Sequence, residues 1–159
     1  MSQQPPAVLL IADHQQGYGT TLKQLAVALD GLLLPDAAAL RDWLDRHSGN
    51  LWLIAAGHSC QDSLALARRH AERCCGAMLL IPQGATEGSG MLPFPSVTIC
   101  PRPDARQPSL ITCVTLASLW GSRLETLPIL NDGTPGLQQL LDVFQHLRQH
   151  HSGWPLGEI

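Results

Sequence analysis

Long apolar runs alternate along this chain with stretches that have helical spacing. Four runs predict strands buried on both faces: Val8–Ala12, Leu51–Ala55, Met78–Ile81 and Val97–Ile99. Apart from Thr98 in the last run, all of these residues are apolar, which is typical of strands in the middle of a parallel sheet. A short strand is also predicted at Leu32–Pro35, and the segment LETLPI at 124–129 is a further candidate.

The stretches between the strands carry apolar residues at helical spacing. Helices are predicted at 20–31, 36–47, 62–75, 110–122 and 136–151. Asp36 is the expected N-cap of the second helix, and the Gly- and Pro-rich segment 82–95 is expected to be a loop beside a crevice. This alternation predicts an α/β fold with three layers, a mainly parallel sheet of about five or six strands and helices on both faces. Residues 1–159 are expected to form a single domain.

The charge content is low, at 14% Asp, Glu, Lys and Arg, whereas the hydrophobic fraction is 45%. A surface with few charges often lies against a partner, so a homodimer or a stable protein partner is expected. The net charge of −3 and the absence of a basic cluster argue against nucleic acid. No signal-peptide pattern or membrane-length apolar run is present, so a cytoplasmic protein with no membrane contact is expected.

Metal and nucleotide sites are not indicated by the residue spacing. The five cysteines are odd in number and form no C-x-x-C pair, which favours reduced and mostly buried thiols. His47, His58 and His70 have no metal-ligand spacing. The segment HQQGYG, with Gly17 and Gly19, follows the first strand but lacks a complete dinucleotide-binding pattern. No metal and no cofactor are therefore expected.

A serine lies at the junction between the strand LWLIAA and the next helix, in the segment GHSCQ at 57–61. The motif G-x-S-x-G carries the nucleophile of α/β-hydrolases, because a sharp turn lifts the hydroxyl clear of the sheet. Here Gln61 takes the place of the second glycine. The alternative is that Ser59 only caps the helix. In either case Ser59 is predicted at the carboxyl end of a strand, where ligands of parallel sheets bind.

Five segments together carry a resemblance to a known family: VLLIADHQQGYG, LWLIAAGHSCQDSLA, GAMLLIP, LPFPSVTIC and LASLWGSRLETL. The chain resembles the small serine hydrolases related to retinoblastoma-binding protein 9 and its bacterial relatives, which are compact α/β-hydrolases. The resemblance implies a minimal α/β-hydrolase fold and a nucleophile at Ser59. It also implies oxyanion donors at the backbone N–H of Cys60 and of a residue near His14, and an acid at Asp104.

The family's catalytic histidine has no counterpart, because Asn131–Thr134 occupy its expected place. A serine hydroxyl attacks a carbonyl effectively only when a neighbouring base takes its proton. His14 could reach the crevice from the loop beside Ser59, and His150 and His151 could return to it from the last helix. The triad is therefore predicted to be degenerate.

The sequence leaves three functions open. The first is a hydrolase-fold protein that has lost most of its catalysis and serves as a binding or interaction module. This function accounts for the altered G-x-S-x-G turn, the displaced acid, the absent base and the low charge. An active serine hydrolase of esters or amides would need a non-standard base near Ser59. A small-ligand binder would use the crevice beside Ser59.

Overall fold

The computed structural model describes residues 5–12, 19–82, 90–101, 109–127 and 136–152. Within these ranges the chain forms six strands and five helices that alternate. In chain order the elements are β1 (Ala7–Ile11), α1 (Gly19–Leu29), β2 (Leu32–Leu34), α2 (Ala37–Arg46), β3 (Leu51–Ala56), α3 (Ser59–Arg69), β4 (Cys74–Leu80), β5 (Ser96–Pro101), α4 (Ser109–Trp120), β6 (Arg123–Leu127) and α5 (Leu137–Ser152).

All six strands lie in one sheet, in the order β2-β1-β3-β4-β5-β6. Every pair of neighbours is parallel. The four predicted central strands correspond to β1, β3, β4 and β5, and none of these lies at an edge. The predicted three-layer α/β fold with a parallel sheet is therefore confirmed.

Each face of the sheet is covered by its own set of helices. One core lies between the sheet and the helices α1 and α5, and Leu25 and Phe144 are fully buried in it. The other core lies against α2, α3 and α4, where Leu40 and Trp120 are at most 2% exposed. Neighbouring residues along a strand point to opposite faces, so a strand between two helical layers is apolar at every position. This requirement produces the uninterrupted run of β3, in which all six residues are buried.

The third helix differs from its prediction at both ends. It begins at Ser59 instead of Asp62 and ends at Arg69, while Cys74 and Cys75 belong to β4. The cause lies partly in the turn before β4. There Arg73 donates hydrogen bonds from its guanidinium to the carbonyl oxygens of residues 44, 47 and 49, near the end of α2. These bonds fix the turn and let the chain extend into the sheet.

No helix in the described ranges is long and apolar enough to cross a membrane. In the predicted loop at 82–95, residues 83–89 lie outside the described part of the chain. The remainder, from Gly90 to Pro95, forms no helix or strand.

Candidate functional site

The sheet has a topological switch point between β1 and β3. From β1 the chain moves to β2 on one side, and it then crosses back to β3 on the other side of β1. Connections leave the two strands in opposite directions, so a crevice can open beyond their carboxyl ends. We call this side of the sheet the carboxyl edge. Ser59 follows β3 at this edge, as predicted from the sequence.

The turn from β3 into α3 depends on Gly57. This residue has a φ of +56°, in the left-handed region that favours glycine. Its N–H donates to the carbonyl oxygen of Leu80 at the end of β4, at 2.9 Å. His58 is half-buried and already has right-handed helical dihedral angles, and Ser59 is the first residue of α3. The left-handed residue of this turn is therefore Gly57, and Ser59 itself has ordinary helical geometry.

The hydroxyl of Ser59 is directed back toward the strands. Its Oγ donates to the carbonyl oxygen of Ala56 at 2.7 Å, and the carbonyl oxygen of Ile11 lies 3.3 Å away. The same Oγ accepts from the N–H of Ala56 at 3.3 Å. Because Ala56 ends β3 and Ile11 ends β1, the half-buried hydroxyl is bonded to the end of β3 and lies next to the end of β1 at the switch point.

The hydrogen bonds of Ser59 differ from those of a helix cap. A capping serine accepts from N–H groups in the first turn of its helix. Ser59 instead bonds the backbone of Ala56 in β3, beside Ile11 of β1, so its contribution is to the sheet edge. A backbone carbonyl is also no general base, because it does not take up a proton near neutral pH. These contacts therefore give Ser59 no activation as a nucleophile.

Cys60 is fully buried in the core beside α2, α3 and α4. Its backbone N–H donates to the carbonyl oxygen of Gly57 at 3.4 Å, which is longer than an ordinary hydrogen bond. An N–H at the start of a helix is a suitable donor to an oxyanion. The predicted donor at Cys60 is therefore at the carboxyl edge, beside Ser59.

Within the described residues, no other predicted member of the triad lies beside Ser59. His14, Asp104 and Asn131–Thr134 lie outside the described residues, so their roles stay predictions. His150 and His151 belong to the last turns of α5, whose side chains are not described there. Leu147, one turn earlier, lies near the start of β5, so this part of α5 is at the side of the sheet opposite Ser59.

The cysteines form a feature whose arrangement the sequence did not predict. None of the five forms a disulfide within the described ranges, and Cys100, at the end of β5, lies beside Cys113 of α4. The Cys100 S–H donates a hydrogen bond to the Cys113 side chain, and this bond together with burial raises the pKa of the Cys100 thiol. Both side chains are fully buried, which makes them part of the core. Within the described ranges, no cluster of His, Cys, Asp and Glu has an arrangement that could hold a metal ion.

Three solved structures share this arrangement of strands and helices. A protein described as a YdeN-like hydrolase, from Pectobacterium atrosepticum, has a TM-score of 0.65 and 15% identity, over 89% of this chain and 91% of that chain. A structure from work on the metagenome-derived lipolytic enzymes LipS and LipT has a TM-score of 0.60 and 14% identity. That match covers 94% of this chain and 96% of the other. A carboxylesterase from Mesorhizobium loti has a TM-score of 0.60 and 18% identity, and the match covers 92% of this chain and 90% of the other.

No family model and no curated protein matches the sequence. The narrower resemblance to the hydrolases related to retinoblastoma-binding protein 9, with a degenerate triad, therefore stays a prediction. At 14–18% identity, the structural matches carry over the fold and not the activity. The chain therefore has an α/β-hydrolase-like fold, similar to that of proteins described as hydrolases and esterases.

Proposed function

We propose that this protein is an α/β-hydrolase-fold protein with weak or lost hydrolytic activity that acts as a binding or interaction module. The observation that carries the proposal is the 2.7 Å hydrogen bond from Ser59 Oγ to the carbonyl oxygen of Ala56. In this position the hydroxyl has a structural role, because it is hydrogen-bonded to the end of β3 and lies beside the carbonyl oxygen of Ile11, which ends β1.

The chemistry of the hydroxyl supports weak catalysis. To attack a carbonyl carbon, Ser59 must give its proton to a base at the moment of attack. Its present acceptor, the Ala56 carbonyl, does not serve as a base, and the hydrogen bond must break before another group can take the proton. The sequence also lacks a histidine at Asn131–Thr134, where the family resemblance requires the base.

The composition of α4 supports the interaction part of the proposal. This helix has no charged residue over its twelve positions, and its exposed side includes Ile111 at 77% and Val114 at 43% exposure. Exposed apolar residues that share one helical face are typical of contact surfaces. We propose a second copy of this chain as the partner, which agrees with the low charge of the whole sequence.

The alternative is an active serine hydrolase of esters or amides. Its support is the position of Ser59, which follows β3 at the switch point, where a nucleophile of this fold would lie. In that case His14 would be the first choice as base and Asp104 as its partner, with the N–H of Cys60 as an oxyanion donor.

The experiment that separates the two is labelling with a fluorophosphonate probe, which reacts with activated serines. The natural protein, Ser59→Ala and the matched variant Ser63→Ala would be compared with an active carboxylesterase. We expect the natural protein to be labelled no faster than Ser59→Ala. Slow turnover of an activated ester would not contradict this, because oxyanion donors alone can support a rate ~10³-fold above that in water.

Rapid labelling that Ser59→Ala abolishes and Ser63→Ala retains would overturn the proposal in favour of an active hydrolase. The variants His14→Ala and Asp104→Asn would then be tested, because loss of labelling in either would identify a partner of Ser59.

A further inference from the structure

A cavity of about 420 Å³ opens at the side of the sheet opposite Ser59, which we call the amino edge. It lies beside Ser96 and Val97, which begin β5, and Arg123, which begins β6. Helix α5 contributes Val143 and Leu147. The volume is within the range of pockets that bind small molecules, about 300–1,000 Å³.

One wall of the cavity is the segment Met91–Pro95, which hydrogen bonds hold in place. The guanidinium of Arg68 in α3 donates to the carbonyl oxygens of Gly90 and Met91. The N–H of Leu92 donates to the carbonyl oxygen of Trp120 at 2.9 Å. A wall anchored from two helices is already formed before a ligand binds, which lowers the entropy cost of binding.

Gly121 lies directly against the Met91 side chain at this wall. A Cβ atom at Gly121 would lie 2.7 Å from Met91 Cε, and the φ of Gly121 is +64°. The glycine therefore provides space that the methionine fills. Met91 is nevertheless 73% exposed, so a flexible apolar side chain lies at the cavity and can adapt to a ligand.

The lining is mostly apolar and carries one charge. Met91, Leu92, Phe94, Val143 and Leu147 present apolar side chains. Among the described residues that line the cavity, Arg123 is the only charged one. Its Nη2 donates to Glu125 Oε1 at 2.6 Å, and its side chain is 51% exposed.

The ion pair with Glu125 leaves Arg123 able to bind an anion. A guanidinium has five N–H donors, and its planar fork matches a carboxylate in a bidentate arrangement. A half-exposed ion pair contributes little stability, so a ligand carboxylate can share or replace this partner. Apolar walls that end at one cation suit a ligand with an apolar chain and one negative group.

We propose that this cavity binds a medium-chain aliphatic carboxylate, with its chain against the apolar wall and its carboxylate on Arg123. The site goes beyond the proposed function, because it lies at the edge opposite Ser59 and does not depend on whether Ser59 reacts. It concerns binding alone, and no bond in the ligand is formed or broken.

The test uses octanoate as the probe and octanol as its neutral counterpart. Calorimetry gives both affinities, and two-dimensional NMR of the natural protein locates the ligand without any substitution. We expect octanoate to bind more tightly than octanol and to shift the signals of the Met91 methyl group and of the amides at 92 and 94. We expect the signals near Ser59 to stay unchanged.

Four variants separate the contributions of the charge and of the apolar wall. Arg123→Gln is expected to weaken octanoate about tenfold while octanol is unaffected, because a charge-assisted hydrogen bond is lost. Arg41→Gln, which removes a positive charge from α2 outside the cavity, is the matched control and should change neither affinity. Glu125→Gln is expected to strengthen octanoate, since it frees the guanidinium and removes a competing carboxylate. Val143→Phe fills part of the space and should weaken both ligands.

Three results would overturn the proposal. The first is that octanoate does not bind the natural protein in the NMR titration. The second is equal affinity for octanoate and octanol, which would show that the carboxylate does not contribute to binding. Signal changes near Ser59 instead of near Met91 would place the ligand at the other edge.

Discussion

The variant Ser59→Ala removes the hydroxyl that is bonded to the end of β3 and lies beside the end of β1 at the carboxyl edge. A neutral hydrogen bond contributes about 1 kcal/mol to stability, and a half-buried carbonyl that loses its partner adds a further cost of about 1 kcal/mol at most. Alanine recovers about 0.5 kcal/mol through its higher helix propensity. The free energy of unfolding should therefore fall by about 1 kcal/mol, which lowers Tm by about 3 °C in a chain of this length.

Ser63→Ala is the matched control, one helical turn further along α3. The Ser63 side chain is fully buried, and its Oγ has no hydrogen-bond partner among the described residues. Removing a buried hydroxyl without a partner relieves a desolvation penalty, and alanine again favours the helix. Stability should stay the same or increase. Because the two serines share a helix, a loss of stability in Ser59→Ala that Ser63→Ala does not show isolates the role of the Ser59 hydrogen bonds.

Urea denaturation followed by circular dichroism measures both changes. The m-values of the three proteins should agree, because none of the substitutions alters the surface exposed on unfolding. If Ser59→Ala is as stable as the natural protein or more stable, the structural role of the hydroxyl is refuted. The argument for weak catalysis would then lose its main support.

Three further predictions concern other parts of the chain. Asp36 Oδ1 accepts from the N–H of Ala39 at 2.9 Å and caps α2. Urea denaturation should therefore show that Asp36→Ala lowers the free energy of unfolding by about 1 kcal/mol, whereas Asp36→Asn, which keeps a capping oxygen, should not. Burial raises the pKa of the Cys74 thiol to about 12, so the unfolded chain loses this proton first and stability should fall as the pH rises from about 9 toward 12. Urea midpoints at about pH 8 and pH 10.5 should therefore differ more in the natural protein than in Cys74→Ala. Light scattering should show that the natural protein is a dimer and that Ile111→Glu dissociates it. Val27→Glu, at an 84% exposed position on α1, is the control and should leave the dimer intact. A monomeric natural protein would contradict the proposed dimer.

The sheet was predictable because its physical requirement is local in sequence. A strand covered by helices on both faces must be apolar at successive positions, and Leu51–Ala55 satisfy this without exception. Alternation of such runs with helical spacing then requires parallel pairing, since the intervening helices carry the chain back to the starting edge. The layers and the central strands therefore followed from the pattern alone.

The end of α3 was not predictable in the same way. Cys74 and Cys75 continue an apolar pattern that a helix could also bury, so spacing does not separate helix from strand there. The turn is held by Arg73, whose guanidinium bonds carbonyl oxygens near the end of α2, well over twenty positions away in the chain. The cavity at the amino edge is equally non-local, because its apolar wall and Arg123 come from separate segments.

The position of Ser59 was predicted from the motif, whereas the direction of its hydroxyl was not. In a nucleophile elbow the strained conformation of the turn raises the serine above the sheet. Here Gly57 takes the left-handed conformation, and a glycine adopts it without a steric cost. No strain at Ser59 then opposes the contact with Ala56, and the hydroxyl turns back toward the strands. The position of one left-handed residue thus accounts for a serine that lies where a nucleophile would lie and yet stabilises the edge of the sheet.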